Sequence, residues 1–193
     1  MYSGILEKRY EFTNDGKAII DISVESMTDL FNSFDKKASF TKRELDQDFV
    51  DYTIDSVKEL GEREFIIRVS VDQEFNMLQE NILRKAVVNY FSFLYQVENR
   101  NLQREMRKFI LLLALGIALL SFIYLHELPE AEEVELWKKI VQEGFVIAAW
   151  VSLWEAVSAF FFGWGPFYAK RRIYERIAAT ELKVINNLAR FEF

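Results

Sequence analysis

One ionisable residue stands inside an otherwise uncharged apolar run: Glu155, within FVIAAWVSLWEAVSAFFF, Phe145 to Phe162. A carboxylate in such surroundings can pass a proton or cation, pair with a cation, or stay protonated and hydrogen-bonded between helices. At helical spacing Ala148, Ser152, Glu155 and Ala159 share one side, so the acid is expected on a seam of small residues suited to close helix packing. Ala114, Ala118 and Ser121 offer a matching seam in an earlier apolar run. The plain reading is an acid buried between helices; the alternatives are an ion or proton pathway and a charged pair with another subunit. Two helices enclose no pore, so a pathway would require a ring of copies.

The remaining chemistry is sparse. Without cysteine there is no disulfide, thiolate metal site or cysteine nucleophile, and a lone histidine, His126, leaves little for imidazole catalysis or metal binding. Glu44, Asp46, Asp48, Asp51 and Asp55 crowd one segment, but Asp48, Asp51 and Asp55 fall opposite an apolar stripe, as a solvated helix face does. No catalytic residue, metal site or cofactor is assigned, because no nucleophile–base pair can be named. A net charge of −6 argues against a nucleic-acid partner, whose phosphates need a basic face. The 18 phenylalanines suit core and belt packing better than a lipid or quinone site.

The elements that hold these residues are dominated by two apolar stretches. Phe109 to Leu125, FILLLALGIALLSFIYL, has no charge and twelve Leu, Ile or Phe. As a helix it is about 25 Å long, workable for a hydrocarbon core of about 30 Å with Tyr124 at the interface. With the Glu155 stretch it reads as a transmembrane hairpin. The second span is marginal alone: its nine Phe, Ile, Leu or Val total roughly −4 kcal/mol, against about +2.5 to +3.5 kcal/mol for a central charge. Arg100, Arg104, Arg107 and Lys108 precede the first span, only Lys138 and Lys139 lie between the spans, and Lys170, Arg171, Arg172 and Arg176 follow the second. The positive-inside bias therefore puts both termini in the cytoplasm. The polar start, MYSGILEKRYEFTNDGK, agrees, since the first long apolar run begins only at Phe109. Between the spans, Pro129, Glu130, Glu132 and Glu133 predict a short helix at the outer interface, with Val134, Trp137, Ile140 and Gly144 on one side. Trp164 and Tyr168 supply an inner aromatic belt, Gly163, Gly165 and Pro166 a bend, and Arg171 and Arg172 further anchors.

Outside the spans the patterning is that of a small α/β unit. TNDGK, Thr13 to Lys17, predicts a β-hairpin joining LEKRYEF to AIIDISV, with Ala18, Ile20, Ile22 and Val24 on one face of its second strand. After a loop, a capping box of Thr41 and Glu44 with a Phe40–Leu45 staple predicts a helix to Gly61, burying Leu45, Phe49, Ile54, Val57 and Leu60. Phe65, Ile67, Val69 and Val71 mark the next strand. From Asn76 no Pro or Gly interrupts the chain before Gly116, so a cytoplasmic helix can run straight into the first span. Its segment Glu98 to Lys108 would be a stalk of about 16 Å, either a solvated face or a surface meeting a partner or anionic headgroups through its arginines. A basic helix, Lys170 to Ala179, precedes a last strand marked by Leu182 and Val184, and the sheet it can join is the N-terminal one.

The stretch EGFVIAAWVSLWEAVSAFFFGWGPFYAKRRIYERIAATELKV, Glu143 to Val184, resembles an uncharacterised family of bacterial membrane proteins with two C-terminal spans. KRELDQDFVDYTIDSV, FIIRVSV and VVNYF are similar to that family's soluble part, while Glu155 and Ala156 stand where the family often carries Arg and Pro. The resemblance implies a bacterial inner-membrane location and brings no activity. The expected architecture is an α+β membrane protein: a small cytoplasmic α/β sandwich, a short sheet with two or three helices, plus a two-helix transmembrane hairpin. Its parts are a domain over 1–97, a stalk over 98–108, spans over 109–125 and 144–164, an external loop over 126–143, and a terminal helix and strand over 165–193. The expected partners are the lipid bilayer and either further copies of the chain or another membrane protein. The function expected is non-enzymatic assembly or accessory work, with a subunit of an oligomeric ion or proton transport assembly using Glu155 as the alternative.

Overall fold

The computed structural model describes residues 3–34, 43–125 and 136–186. The chain divides into two compact units, Met1–Gln96 with Arg171–Phe193, and Val97–Lys170.

The first unit is built on a four-stranded sheet in the order β1-β2-β3-β4: β1 (Glu11–Phe12), β2 (Ala18–Val24), β3 (Phe65–Val71) and β4 (Leu182–Asn186). Most of LEKRYEF is not a strand. Ser3–Arg9 forms a short helix, α1, and only Glu11 and Phe12 pair antiparallel with β2, opposite Ile19 and Ala18. Leu6 and Tyr10 stand four apart with three charged residues between them, a helical spacing, and both are buried in the core. The turn between β1 and β2 closes where expected: Gly16 takes φ +80°, and the Lys17 amide donates to the Thr13 hydroxyl at 3.0 Å.

Strand β3 lies between two parallel neighbours, Ile20↔Ile67↔Leu182 in register, and is buried on both faces. Helix α2 (Gln47–Leu60) connects β2 to β3 and buries Phe49, Val50, Thr53, Val57 and Leu60. Its cap comes five residues later than the Thr41 capping box predicts. Phe40 and Thr41 lie outside the described residues. Leu45 is held in an antiparallel bridge with Phe31, so its backbone is extended and helix cannot start there. Asp46 is the cap instead, its carboxylate accepting from the Asp48 and Phe49 amides at 2.9 and 3.4 Å. The loop expected before it contains a turn of 3₁₀ helix, Met27–Leu30, closed by reciprocal bonds between Ser26 and Asp29.

The connection from β3 to β4 runs from Asp72 to Glu181. It opens with α3 (Met77–Leu125), whose first turn is capped by a reciprocal pair, Asn76 and Gln79, with both amide-to-side-chain bonds at 2.9 Å. Leu83, Ala86, Val87 and Phe91 of α3 enter the core, where the Phe91 ring meets Tyr174 of α5 (Gly165–Ala179) at 6.2 Å. The C-terminal arm is tied to the sheet by side chains. The Arg176 guanidinium donates to the carbonyls of Gly61 and Arg63, and the Thr180 hydroxyl donates to the Phe65 carbonyl at 2.6 Å.

The second unit consists of the rest of α3, α4 (Leu136–Ser158), a π-helical turn at Ala159–Gly163 and the start of α5. Both long helical segments, Met77–Leu125 and Leu136–Ala179, are long and apolar enough to cross a membrane. The helix expected at the outer interface is not separate from the second apolar run, since α4 is continuous from Leu136. His126, Pro129, Glu130, Glu132, Glu133 and Val134 lie outside the described residues. At the other end, the π turn and the bend at Trp164 fall where Gly163, Gly165 and Pro166 interrupt the pattern.

Candidate functional site

The second unit is the place where the sequence puts unusual chemistry, and its geometry follows from one helix contact. A Cβ built on Gly116 would sit 2.7 Å from both Cγ and Cδ2 of Leu153 and 3.3 Å from the Ala149 carbonyl oxygen. Glycine lets the backbones come this close. The Phe122 ring meets Phe145 at 5.9 Å and the Phe109 ring meets Phe160 at 5.4 Å. Moving back along α3 thus matches moving forward along α4. On α3 buried Gly116 and half-buried Leu102, Glu105, Phe109, Leu112, Leu119 and Ile123 recur at alternating steps of three and four, with Asn101 and Leu113 half-buried beside them. On α4 the buried line is Ala149, Ser152, Ala156 and then Ala159.

The buried line is rotated from the expected seam. Ser152 and Ala159 belong to it, and the Ser152 hydroxyl is satisfied by the Ala148 carbonyl at 2.8 Å. Ala148 and Glu155 lie on one flank, exposed, while Ala114, Ala118 and Ser121 lie on the side of α3 away from Gly116. Glu155 is therefore not enclosed between these two helices. Its side chain is 54% exposed, and its carboxylate lies 3.9 Å from the ammonium of Lys108. Counted along its own run Glu155 is central. Counted across the pairing, it is level with Leu112 to Ala114, about one turn inside the charged end of the α3 apolar run at Lys108. The packing of Gly116 against Leu153 and the pairing of Lys108 with Glu155 are not foreseen from the sequence, and the three–four spacing through Gly116 is the signal that finds the first.

The expected anchors divide by unit. Trp137 is 58% exposed, with the Lys138 ammonium 5.6 Å from its ring centroid. Trp164 donates its indole N–H to the Phe160 carbonyl and stacks near Phe160 and Tyr168, at 6.0 and 6.3 Å. Arg171 and Arg172 belong to the first unit: Arg171 lies over the Tyr95 ring at 5.5 Å, and Arg172 pairs with Glu62.

Several polar groups of the first unit are engaged by the fold. Arg68 holds Asp21 with two nitrogens and reaches Glu11 at 2.7 Å, and the Asp21 hydrogen bond pushes its guanidinium further toward the charged form. Burial pushes the Tyr10 phenol up; the Ser56 hydroxyl lowers it, and Glu59, which accepts from Tyr10 at 2.8 Å, raises it. Tyr90 is raised for the same first reason, with the charges of Glu44 and Asp51 adding to it. Among the acids of the crowded segment, Asp46 caps α2, Asp51 accepts from Gln47, and Asp55 accepts from Lys58. A depression of about 460 Å³ is rimmed by Lys17, Glu64, Arg176 and Thr180, but Lys17 pairs with Glu64 at 3.4 Å, and Arg176 and Thr180 are bound to backbone carbonyls. Among the described residues no group of three acids or histidines could hold a metal ion.

No protein-family model, curated protein or solved structure matches this chain. The resemblance of Glu143 to Val184 therefore assigns no role to any residue here.

Proposed function

We propose that the chain is a non-enzymatic assembly or accessory protein of the bacterial inner membrane, a small cytoplasmic α/β unit fixed by a two-span hairpin and working through contacts with further copies or a membrane-protein partner. The observation behind this reading is the parallel pairing of β3 with β4 across a connection that contains both apolar helices. Two strands of one sheet lie on the same side of any bilayer. The number of crossings between Val71 and Leu182 must then be even, so the two apolar helices either both cross or neither does. Exposed Leu111, Trp154 and Phe162, at 69%, 73% and 79%, favour crossing, since water would penalise such a surface. The Lys and Arg bias favours a cytoplasmic sheet and cytoplasmic termini.

The transport alternative loses support from the same geometry. Pairing with Lys108 at 3.9 Å gives Glu155 a structural partner that does not call for a proton or ion pathway.

The absence of native cysteine makes the topology directly measurable. Lys139→Cys should react with a membrane-impermeant thiol reagent in intact cells, and Asp55→Cys only after lysis; the opposite pattern would reverse the orientation. In mild detergent the particle should contain more than one copy or a stoichiometric membrane-protein partner. A single chain alone would remove the assembly reading.

A further inference from the structure

The segment of α3 between the core of the first unit and the apolar run sorts its charges by face. Glu98 and Glu105 are half-buried: Glu98 accepts from the Asn101 side chain at 3.1 Å, and the Glu105 carboxylate lies 3.3 Å from a Cβ built on Gly163. Arg100, Arg104 and Arg107 are exposed and make no ion pair with the described residues. At 100° per residue these three fall within a sector of about 60°, on the side of α3 away from Gly116. The stripe is about 10 Å long and continues directly into the apolar surface at Leu111.

Depth decides what such a stripe meets. Arg107 lies about 3 Å and Arg104 about 7.5 Å before Phe109, within or at the edge of a headgroup layer that is about 5 to 7 Å thick, and Arg100, about 13.5 Å before it, stands beyond the layer but within about a Debye length of its surface. Trp164 and Tyr168, aromatic residues of the kind that settle at headgroup level, fall opposite the same stretch of α3 by the helix register. Guanidinium forks bind phosphate oxygens in pairs, and the two acids of this segment that would compete for them are turned to the other face.

We infer that Arg100, Arg104 and Arg107 form a binding surface for the phosphates of anionic phospholipids in the cytoplasmic leaflet. The inference rests on the proposal that α3 crosses the membrane, and it adds a lipid preference that a hydrophobic anchor alone would not have. Each engaged arginine is worth about fivefold in association, the three together roughly a hundredfold at most.

The test uses the full chain in phosphatidylcholine vesicles with trace spin-labelled phosphatidylglycerol or spin-labelled phosphatidylcholine. The motionally restricted fraction of each probe gives their relative association. Phosphatidylglycerol is expected to be favoured by about fivefold or more, with the ratio falling steeply between about 0.05 and 0.5 M NaCl. In R100Q/R104Q/R107Q the ratio should approach unity, while R100K/R104K/R107K keeps charge and most of the preference. No preference in wild type, a salt-independent preference, or one kept by the glutamine variant would overturn the inference. Inorganic phosphate exchanged for chloride at equal ionic strength should change nothing; loss of the preference there would assign the stripe to soluble phosphate. Should the glutamine variant not reconstitute, the wild-type and lysine salt series decide the matter. Alkaline extraction of the vesicles separates the two levels: a chain that washes off refutes the membrane reading itself, whereas an inserted chain without preference refutes only the lipid surface.

Discussion

Replacing Gly116 by alanine should push the two helices of the second unit apart, and the sign of the effect should depend on Leu153. The new Cβ would lie 2.7 Å from Leu153 Cγ and Cδ2, where ordinary carbon contacts are about 3.5 to 4.0 Å. Because Cγ is the branch point of the side chain, a rotation of the terminal methyls does not clear the clash, and the Ala149 carbonyl oxygen at 3.3 Å narrows the alternatives. Leu153 or its helix must retreat by about 1 Å, an overpacking cost of about 1 to 3 kcal/mol. Alanine returns about 1 kcal/mol through helix propensity. Gly116→Ala alone should therefore destabilise by about 0 to 2 kcal/mol, and Gly116→Val by more, since its branched methyls enlarge the clash. In a Leu153→Ala background the obstruction is gone, and the same Gly116→Ala change should be neutral or stabilising by up to about 1 kcal/mol. Unfolding in mixed micelles with rising dodecyl sulfate, followed by near-ultraviolet circular dichroism, measures all four proteins. A Gly116→Ala effect of the same sign and size in both backgrounds would refute the close contact and with it the register that places Glu155.

Tyr10, held protonated by burial, contributes stability that is complete below its ordinary value near 10 and lost as pH rises through the higher folded value. Stability should therefore fall more steeply above about pH 10 in wild type than in Tyr10→Phe, and parallel curves would exclude the linkage. The Ser70 hydroxyl is buried without a hydrogen-bond partner, so Ser70→Ala should leave the melting point unchanged or raise stability by up to about 1 kcal/mol; a loss of that size would reveal a partner. A chain ending at Ala179 removes β4 and the buried Leu182, so β3 loses its ladder on one side, and limited proteolysis should cut residues 43–71 faster than in the full chain. Equal protease resistance would mean that β4 is dispensable.

The sequence alone determined the pieces whose cause is local. Alternation marks β2, β3 and β4, Gly16 and the Thr13 hydroxyl mark the turn, the lack of Pro or Gly before Gly116 permits α3 to run unbroken, and two apolar runs, the second interrupted by Glu155 alone, are long enough to cross a membrane. Three features were decided elsewhere in the fold. Helix α2 waits for Asp46 because the extended pairing of Leu45 with Phe31, fourteen residues away in sequence, removes the earlier start. Leu6 to Arg9 becomes helix because Leu6 and Tyr10, one helical turn apart, are buried in the same core, and only Glu11 and Phe12 pair with β2. The depth of Glu155 depends on which residue of α3 faces which residue of α4, a register set by one glycine fitting beneath one leucine. Helical periodicity specifies a residue's angle around its own axis to within a side chain's width, but not the translation of one helix along another. That translation follows from interhelical packing, and here it takes an acid at the centre of its own apolar run to a position beside a lysine.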